Sequence, residues 1–443
     1  MKLAIVVQRY GADINGGAEL HARYIAERLA RHAEVEVVTT CARDYVTWRN
    51  ERPAGVEDVN GIPVRRFPVR HELDPYHFGR LSKRVFDETH SIADELAWLE
   101  SEGPASPALL DYVERAAATL DFVILFSYRY YHAWHGARRV PSKAVLVPTA
   151  ERDPAVGLEI FGPMFRGVRA VMYNSYEERA MIQTAARNEE VPGVVVGIGS
   201  EIPAASDGAR FQRKFDIRRP FAIYVGRIDE NKGCKELFDF FQRYAATFPR
   251  GLDLVLVGSA IMPVPQHPRI HHLGFLEDRD KFDAIAASDL LIMPSYFESL
   301  SMVALEAWAM GKPVLANGRC DVLKGQCIRS AAGLYYERYE EFAETLYSLE
   351  SNGPLHARLG RNGREYFTRH YTFPVIERKY LEMFERLQRE NASGGAKRRV
   401  EPLPGWLARR SRTIPAANAV LARIPAGAVV PGRDARQPIP QPA

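Results

Sequence analysis

Two stretches of this chain open in the same way, and the repetition limits the folds that it can adopt. Each begins with a short apolar run, continues through a turn that contains glycine, and ends in a helical pattern. The first is "KLAIVVQ" followed by "GADINGGAELHARYIAERLA", and the second is "FAIYVGRI" followed by "DENKGCKELFDFFQRY". Each is typical of the first strand and helix of a doubly wound parallel sheet. We therefore predict an α/β protein with two such sheets.

Further short apolar runs follow in both halves of the chain. They are "VEVVTT", "DFVILFS", "AVLVPTA" and "AVMYNS" in the first half, and "LDLVLVG", "IHHLGF", "LLIMPS" and "PVLANG" in the second. Runs of this kind are typical of strands covered by helices on both faces. A chain of 443 residues also exceeds what one hydrophobic core usually holds.

These patterns predict a domain organisation. We expect a Rossmann-like domain over residues 1–205 with a long helical insertion, and a second over 206–375. The polar stretch from Ser200 to Pro220 is interpreted as their connection. A C-terminal helix over 376–390 is expected to pack back on the first domain.

The segment from residue 391 to 443 is rich in Pro, Ala, Gly and Arg, and we predict that it is a disordered tail. This segment holds nine Lys and Arg residues and two acidic residues, so its net charge is +7. Because the whole chain has a net charge of +4, the remaining residues carry −3. The basic balance therefore does not indicate nucleic-acid binding by the folded part. The tail is either solvated or contacts an anionic membrane surface.

The cysteines and the N-terminal residues predict the cellular compartment of the protein. The four cysteines have neither redox CxxC nor zinc-site spacing. The first apolar run is too short for a signal peptide, and no run reaches about 18 apolar residues. We expect a cytoplasmic protein, peripheral on the inner face of the membrane if the tail binds lipid.

Two cations mark the loop after the first strand of the second half. "GRIDENKG" carries Arg227 and Lys232 directly before a helix. A helix N-terminus offers N–H groups and partial positive charge, so two cations there could clamp a diphosphate. A solvated charged turn is the alternative.

In the first half, Gly16 and Gly17 would let a ligand approach the helix that begins near Ala18, although a turn that binds nothing also fits.

Two carboxylates stand in an otherwise apolar run, "ESLSMVALEAWAMGKPV". Glu298 falls in the loop after the strand "LLIMPS", and Glu306 falls in the following apolar helix. An unpaired carboxylate there would cost several kcal/mol, so Glu306 needs a hydroxyl or cation partner. The hydroxyls of a ribose and a sugar would supply partners for both acids, and internal salt bridges are the alternative.

Together these motifs and "GGAE" resemble the retaining glycosyltransferases of family 4, also called glycosyl transferases group 1. The resemblance covers roughly Met1 to Gln388. It implies the GT-B fold, with two Rossmann-like domains facing across a cleft. It also implies transfer of a sugar, with retention, from a nucleoside diphosphate sugar to a glycan, lipid-linked or other acceptor, as in polysaccharide biosynthesis. No cofactor and no metal are implied.

The resemblance assigns roles to particular residues. Glu298 would contact the donor sugar, Glu306 the ribose hydroxyls, and Arg227 and Lys232 the diphosphate. Backbone amides would add contacts to the phosphates or sugar, and an apolar residue would line the nucleobase pocket. These further donor-binding residues are Leu300 and Ser301, Gly16 and Gly17 of the first domain, and Leu276 at the base.

The chain departs from the family at two places. Leu300 and Ser301 stand where relatives often have Phe-Gly, and Glu151 stands where many have a His. Glu151 could bond a sugar hydroxyl, but it brings a negative charge close to the reacting centre. Arg152 and Asp153 could serve equally as a neutralising pair. We count Glu298, Arg227, Lys232 and Glu151 as catalytic candidates. A catalytically impaired nucleotide-sugar-binding scaffold is the alternative.

Two other classes fit less well. A nicotinamide dehydrogenase would also have two doubly wound halves, but no GxGxxG follows either first strand. Asp278 and Asp280 form a "DRD" sequence like that of metal-dependent transferases, but Asp280 is better explained as a helix N-cap. The donor base, the sugar and the acceptor stay open.

Overall fold

The structure is a computed structural model that describes residues 1–14, 16–394, 398–404 and 413–429. Its contacts divide the chain into two compact units. The first unit consists of Met1–Ala204, Phe297–Ala309 and Glu365–Pro425, and the second of Ala205–Tyr296, Met310–Arg364 and the residues from Ala426. The predicted domain boundaries stay predictions.

The first unit contains an eight-stranded sheet of order β3-β4-β2-β1-β5-β6-β7-β8, parallel except for β3. Its strands are β1 Lys2–Val6, β2 Glu34–Thr40, β3 Gly55–Val59, β4 Ile62–Phe67, β5 Phe122–Phe126, β6 Ala144–Val147, β7 Ala170–Tyr173 and β8 Gly193–Val195. Its first helices are α1 Gly17–Leu29, α2 Pro75–Asp87, α3 Ile92–Glu102, α4 Pro107–Ala116, α5 Tyr131–Arg139, α6 Phe161–Gly167 and α7 Tyr176–Ala186, with a 3-10 helix at Pro154–Gly157. Helices α2 to α4 form the predicted insertion.

Both faces of this sheet are buried, which explains its apolar strands. In β1, Leu3 and Ile5 belong to one core cluster and Ala4 and Val6 to the other. Side chains alternate along a strand, so a strand covered on both faces needs apolar residues at every position.

The second unit contains a six-stranded parallel sheet of order β11-β10-β9-β12-β13-β14. Its strands are β9 Phe221–Val225, β10 Asp253–Val257, β11 Ile270–His272, β12 Leu290–Met293, β13 Val314–Asn317 and β14 Gly333–Tyr336. The helices in this half of the chain are α8 Gly208–Phe215, α9 Cys234–Thr247, α10 Asp278–Ala287, α11 Met302–Ala309, α12 Asp321–Ser330, α13 Tyr339–Ser351, α14 Gly353–His370, α15 Phe373–Ala392 and α16 Ala417–Leu421. The two predicted doubly wound sheets are confirmed.

Helix α8 lies within the stretch that the sequence suggested as a connection, and it packs against α10. Arg210 of α8 donates to Asp280 at 2.8 Å, and Lys214 donates to the same carboxylate at 2.6 Å. The residue before α10 is Glu277, so the interpretation of Asp280 as the N-cap was wrong. Asp280 lies in the first turn and ties the two helices together.

Helix α15 packs in the core of the first unit. Its residues Ile376, Tyr380 and Phe384 join the cluster that contains Leu3 and Ile5 of β1. The rings of Phe384 and Phe122 stack with centroids 5.2 Å apart. Across the described residues, no helix combines the length and the apolar character needed to cross a membrane.

Part of the predicted disordered tail is ordered against the first unit. Ile414 exchanges two backbone hydrogen bonds with His90, at 2.6 and 3.0 Å, and Ile414 and Ile424 are buried in the core. The guanidinium of Arg152 donates to the carbonyl of Ile424 at 2.7 Å. For residues 398–404 and 413–425 this differs from the expectation, because a few spaced apolar residues dock an otherwise polar segment. Residues 395–397, 405–412 and 430–443 of the predicted tail lie outside the described residues.

Candidate functional site

A buried carboxylate organises the cation loop between β9 and α9. Asp229 accepts a hydrogen bond from the backbone N–H of Lys232 at 2.7 Å, and its other oxygen accepts one from Nε of Arg227. The carbonyl of Arg227 accepts from the hydroxyl of Tyr224 at 2.7 Å. The Asp229 side chain is 5% exposed and that of Arg227 is 41% exposed. The loop is therefore fixed from within, while the guanidinium remains accessible.

Gly233 ends this loop directly before α9. Its φ is +72°, and a Cβ there would collide with the carbonyl oxygen of Pro294. Only glycine accommodates both the left-handed backbone and this close approach. Glycine also has no side chain with which to cap the first-turn N–H groups of α9, and such groups commonly bind anions.

Loops after three neighbouring strands of the second unit lie side by side. Gly226 donates to the carbonyl of Val257 at 2.9 Å, and Gly258 donates to the carbonyl of Gly274 at 2.8 Å. Leu276, half-buried, lies two residues beyond Gly274. The cation loop and the segment with Leu276 are thus at the same edge of the sheet, where open α/β sheets bind ligands.

The paired acids occupy different environments. Glu298 is half-buried in the loop between β12 and α11, whereas Glu306 lies in α11 and is 4% exposed. The hydroxyl of Ser200 donates to Oε1 of Glu306 at 2.8 Å. Ser200 thus supplies the hydroxyl partner that a buried carboxylate needs.

Leu300 and Ser301 are both buried at the start of α11. The hydroxyl of Ser301 accepts from the N–H of Ala304 at 3.2 Å. Ser301 therefore caps the helix, a contact that a glycine could not make. This gives the departure from the family pattern a structural reason.

Replacing Ser200 with alanine should lower the free energy of unfolding by about 1–3 kcal/mol, because a buried carboxylate oxygen loses a donor. Chemical denaturation measures the change. Ser351→Ala is the control, since Ser351 is exposed at a helix end. Equal unfolding midpoints for the two variants would show that the Ser200 contact contributes nothing.

The two glycines before α1 differ in what the protein requires of them. At Gly16 a Cβ would collide with Oε2 of Glu19, whereas at Gly17 it would meet nothing within 4 Å. The Glu19 carboxylate is held by Nε of Arg9 at 2.9 Å and by Nε2 of Gln8 at 3.0 Å. Packing explains Gly16, but nothing in the described part of the first unit requires a glycine at position 17.

Glu151 lies in the loop after β6, and the ends of β6 and of the neighbouring strand β5 each have a residue with positive φ. Ser127 and Thr149, at the ends of β5 and β6, have φ of +65° and +50°, and Thr149 Oγ1 donates to Ser127 Oγ at 3.0 Å. Non-glycine residues held in this region are concentrated at functional sites. The strained backbone marks the loop that carries Glu151 as a candidate site.

The charged neighbours of Glu151 are engaged with other groups. Arg152 donates to the Ile424 carbonyl, and Asp153 accepts from Arg129 at 2.8 Å. Arg152 and Asp153 therefore each hold a partner other than Glu151, and their role as a neutralising pair stays a prediction. Among the described residues, no group of three or more His, Cys, Asp or Glu side chains is arranged to hold a metal ion.

Several residues of these sites were missed by sequence reasoning. Asp229 looked like part of a solvated turn, and Ser200 lies 106 positions from its partner Glu306. Asn174, whose Nδ2 lies 3.4 Å from the hydroxyl of Ser299, had no motif of its own. For Asp229, its place three residues before Lys232 in a glycine-bounded loop was the one available signal.

A comparison with known proteins finds a family model that matches part of this chain. Residues 206–366 match the family model "Glycosyl transferases group 1", a range that includes Arg227, Lys232, Leu276, Glu298 and Glu306. A curated relative, D-inositol 3-phosphate glycosyltransferase of Corynebacterium efficiens, is 24% identical over 213 residues, which are 44% of this chain and 50% of that protein. The chain therefore matches half the length of that relative.

Solved structures share the fold. Sucrose-phosphate synthase from Thermosynechococcus elongatus has a TM-score of 0.64 at 15% identity, covering 88% of this chain and 99% of that one. HepE of Anabaena in complex with UDP-glucose has a TM-score of 0.62 at 18% identity, covering 87% and 99%. Residues 206–366 thus match the glycosyl transferases group 1, and the chain has the GT-B fold.

Proposed function

We propose that this protein transfers a sugar from a nucleoside diphosphate sugar to an acceptor hydroxyl and keeps the anomeric configuration. The observation that carries the proposal is the cation loop, in which buried Asp229 holds Arg227 and the backbone of Lys232 at the head of α9. This loop lies inside the segment that matches the family.

The chemistry follows from charge. The bond from the anomeric carbon to the diphosphate breaks, the diphosphate keeps the electron pair, and the acceptor oxygen bonds to the carbon as its proton leaves. Negative charge grows on the leaving group, and preorganised cations and a helix N-terminus stabilise it. Arg227 and Lys232 would provide this stabilisation from a loop that is already rigid.

The remaining donor contacts are assigned by the family resemblance. Glu298 would bond the sugar hydroxyls and Glu306 the ribose hydroxyls. The backbone amides of Leu300 and Ser301 would contact the phosphates or sugar, and the open space beside Gly17 suits close approach of a ligand. The other donor-binding residues in this proposal are Gly16 and Leu276.

Glu151 is proposed to bond a sugar hydroxyl near the reacting carbon. The strained backbone at Ser127 and Thr149 supports a functional role for this loop. The alternative is that the carboxylate weakens transfer and leaves a protein that binds the donor without using it. Turnover of a bound nucleotide sugar separates these two possibilities.

The proposed donor is a UDP-sugar, because HepE, which shares the fold, was solved with UDP-glucose. The proposed acceptor is a carbohydrate or a lipid-linked carbohydrate. Basic residues of the C-terminal segment would favour an anionic membrane surface at about 1 kcal/mol each. A cytoplasmic location, peripheral at the membrane, is part of the same proposal.

Thermal shift with UDP, GDP and ADP tests the donor assignment. UDP should raise the melting temperature most, because ligand that binds only the folded state stabilises it by mass action. UDP-glucose and other UDP-sugars would then be assayed for turnover. Preference for GDP or ADP would contradict the proposed base, and no shift with any nucleotide would contradict the function.

A further inference from the structure

Glu178 lies outside the residues assigned above, yet it joins two of their loops. It stands in the first turn of α7 and is 1% exposed. One carboxylate oxygen accepts from the N–H of Ala150 at 2.6 Å, and the other accepts from the N–H of Asn174. These amides follow β6 and β7, which are adjacent parallel strands. One buried side chain thus fastens two strand-end loops.

Each of these amides adjoins a proposed functional residue. Ala150 directly precedes Glu151. Asn174, itself 1% exposed, places its Nδ2 3.4 Å from the hydroxyl of Ser299, which stands between Glu298 and Leu300. A continuous path of contacts therefore leads from the Glu151 loop through Glu178 and Asn174 to the loop of Glu298.

A carboxylate is a costly choice at this position. Burial, with a smaller contribution from the negative charge of Glu151, raises the pKa of Glu178 to about 8, and its backbone hydrogen bonds oppose that rise. A single neutral acceptor would avoid the cost of burying charge but could not bind two N–H groups with two oxygens. The demand for two acceptors accounts for the buried acid.

We propose that Glu178 is a positioning residue for sugar transfer: it holds the Glu151 loop and, through Asn174, the Glu298 loop in register. This inference rests on the proposed function. Glu178 touches neither donor nor acceptor in this account. Its effect falls on the chemical step, because displacement of a reacting group by about 1 Å can cost about 100-fold in rate.

Glu178→Gln is the test. Glutamine keeps the shape of the glutamate side chain but has only one oxygen. Its NH₂ group therefore faces one of the two backbone N–H groups, and two hydrogen-bond donors meet with no acceptor between them. Hydrogen exchange should quicken at Ala150, at Asn174 and in residues 297–301. With UDP-glucose, kcat should fall about 100-fold, whereas the Kd of UDP should change far less, because Arg227 and Lys232 lie outside the loosened loops.

Glu95→Gln is the matched control. Glu95 is a buried carboxylate of the same unit that also accepts two backbone N–H groups, from Glu159 at 3.1 Å and from Ile160 at 2.9 Å, and that differs from Glu178 in a further contact with Nε2 of His90 at 2.9 Å. This variant should lose similar thermal stability and expose those two amides to exchange, but keep its kcat. A purely structural role for Glu178 predicts the same kcat for both variants and would overturn the proposal.

Asn174→Ala provides a second variant if Glu178→Gln folds poorly. It keeps both bonds of Glu178 and removes only the contact with Ser299. Exchange should quicken in residues 297–301 but not at Ala150, and kcat should fall. Unchanged exchange in 297–301 for both variants would overturn the proposal. A wild-type protein without turnover would instead overturn the proposed function, while exchange still reports whether Glu178 links the loops.

Discussion

Arg227→Ala is expected to lower kcat/KM for a UDP-sugar by about 100- to 1,000-fold, the usual cost of removing one preorganised group that stabilises developing charge. The loss should appear both in the Kd of UDP and in kcat, because the diphosphate gains negative charge as it leaves. Arg227→Lys should be intermediate, since lysine keeps the charge but not the forked geometry. Calorimetry with UDP and initial-rate kinetics measure these effects.

Arg213→Ala is the control for Arg227→Ala. Arg213 belongs to the same unit, and its side chain is 72% exposed with Asp207 at 4.0 Å. Its removal takes away the same charge without touching the cation loop, so affinity and rate should be unchanged. Equal UDP affinity in Arg227→Ala and wild type would mean that the diphosphate is not held by this loop.

Gly233→Ala is expected to destabilise the second unit and to abolish UDP binding. A left-handed backbone costs an alanine about 1–2 kcal/mol, and overpacking against Pro294 adds about 1–3 kcal/mol. For a unit of this size the melting temperature should fall by roughly 10 °C. The collision also moves the loop that carries Arg227 and Lys232. Thermal unfolding measures the fall in melting temperature, and a titration with UDP measures the loss of binding.

Gly274→Ala separates the two causes. Gly274 has the same φ of +72°, but a Cβ there would meet nothing within 4 Å. It should therefore show only the backbone cost, with a smaller fall in melting temperature than Gly233→Ala. If the two variants have the same melting temperature, the close approach to Pro294 is not the reason for glycine at position 233.

Much of the fold follows from local sequence, because strands covered on both faces must be apolar throughout. The hairpin of β3 and β4 was missed although Asn60 and Gly61, both with positive φ, form the Asn-Gly turn typical of hairpins. Strand β14 was also missed, since "GLYY" is too short to stand out. The docked tail residues had no periodic pattern to reveal them.

The candidate site was predictable where its residues are neighbours in sequence. The cation loop and the run from Glu298 to Glu306 each occupy one short segment. The residues that hold them were not predictable, because Ser200 and Glu306 lie 106 positions apart and Glu178 and Ala150 lie 28 apart. Such pairs meet only through the strand order. A single sequence gives no direct signal for them.

Proton NMR of the sugar released or transferred from UDP-α-glucose tests the central claim most directly. Retaining chemistry predicts that the first product carries the α configuration, with UDP formed in equal amount. A first product with the β configuration would contradict the account. UDP binding without turnover of any nucleotide sugar would do so as well, and would favour the donor-binding scaffold.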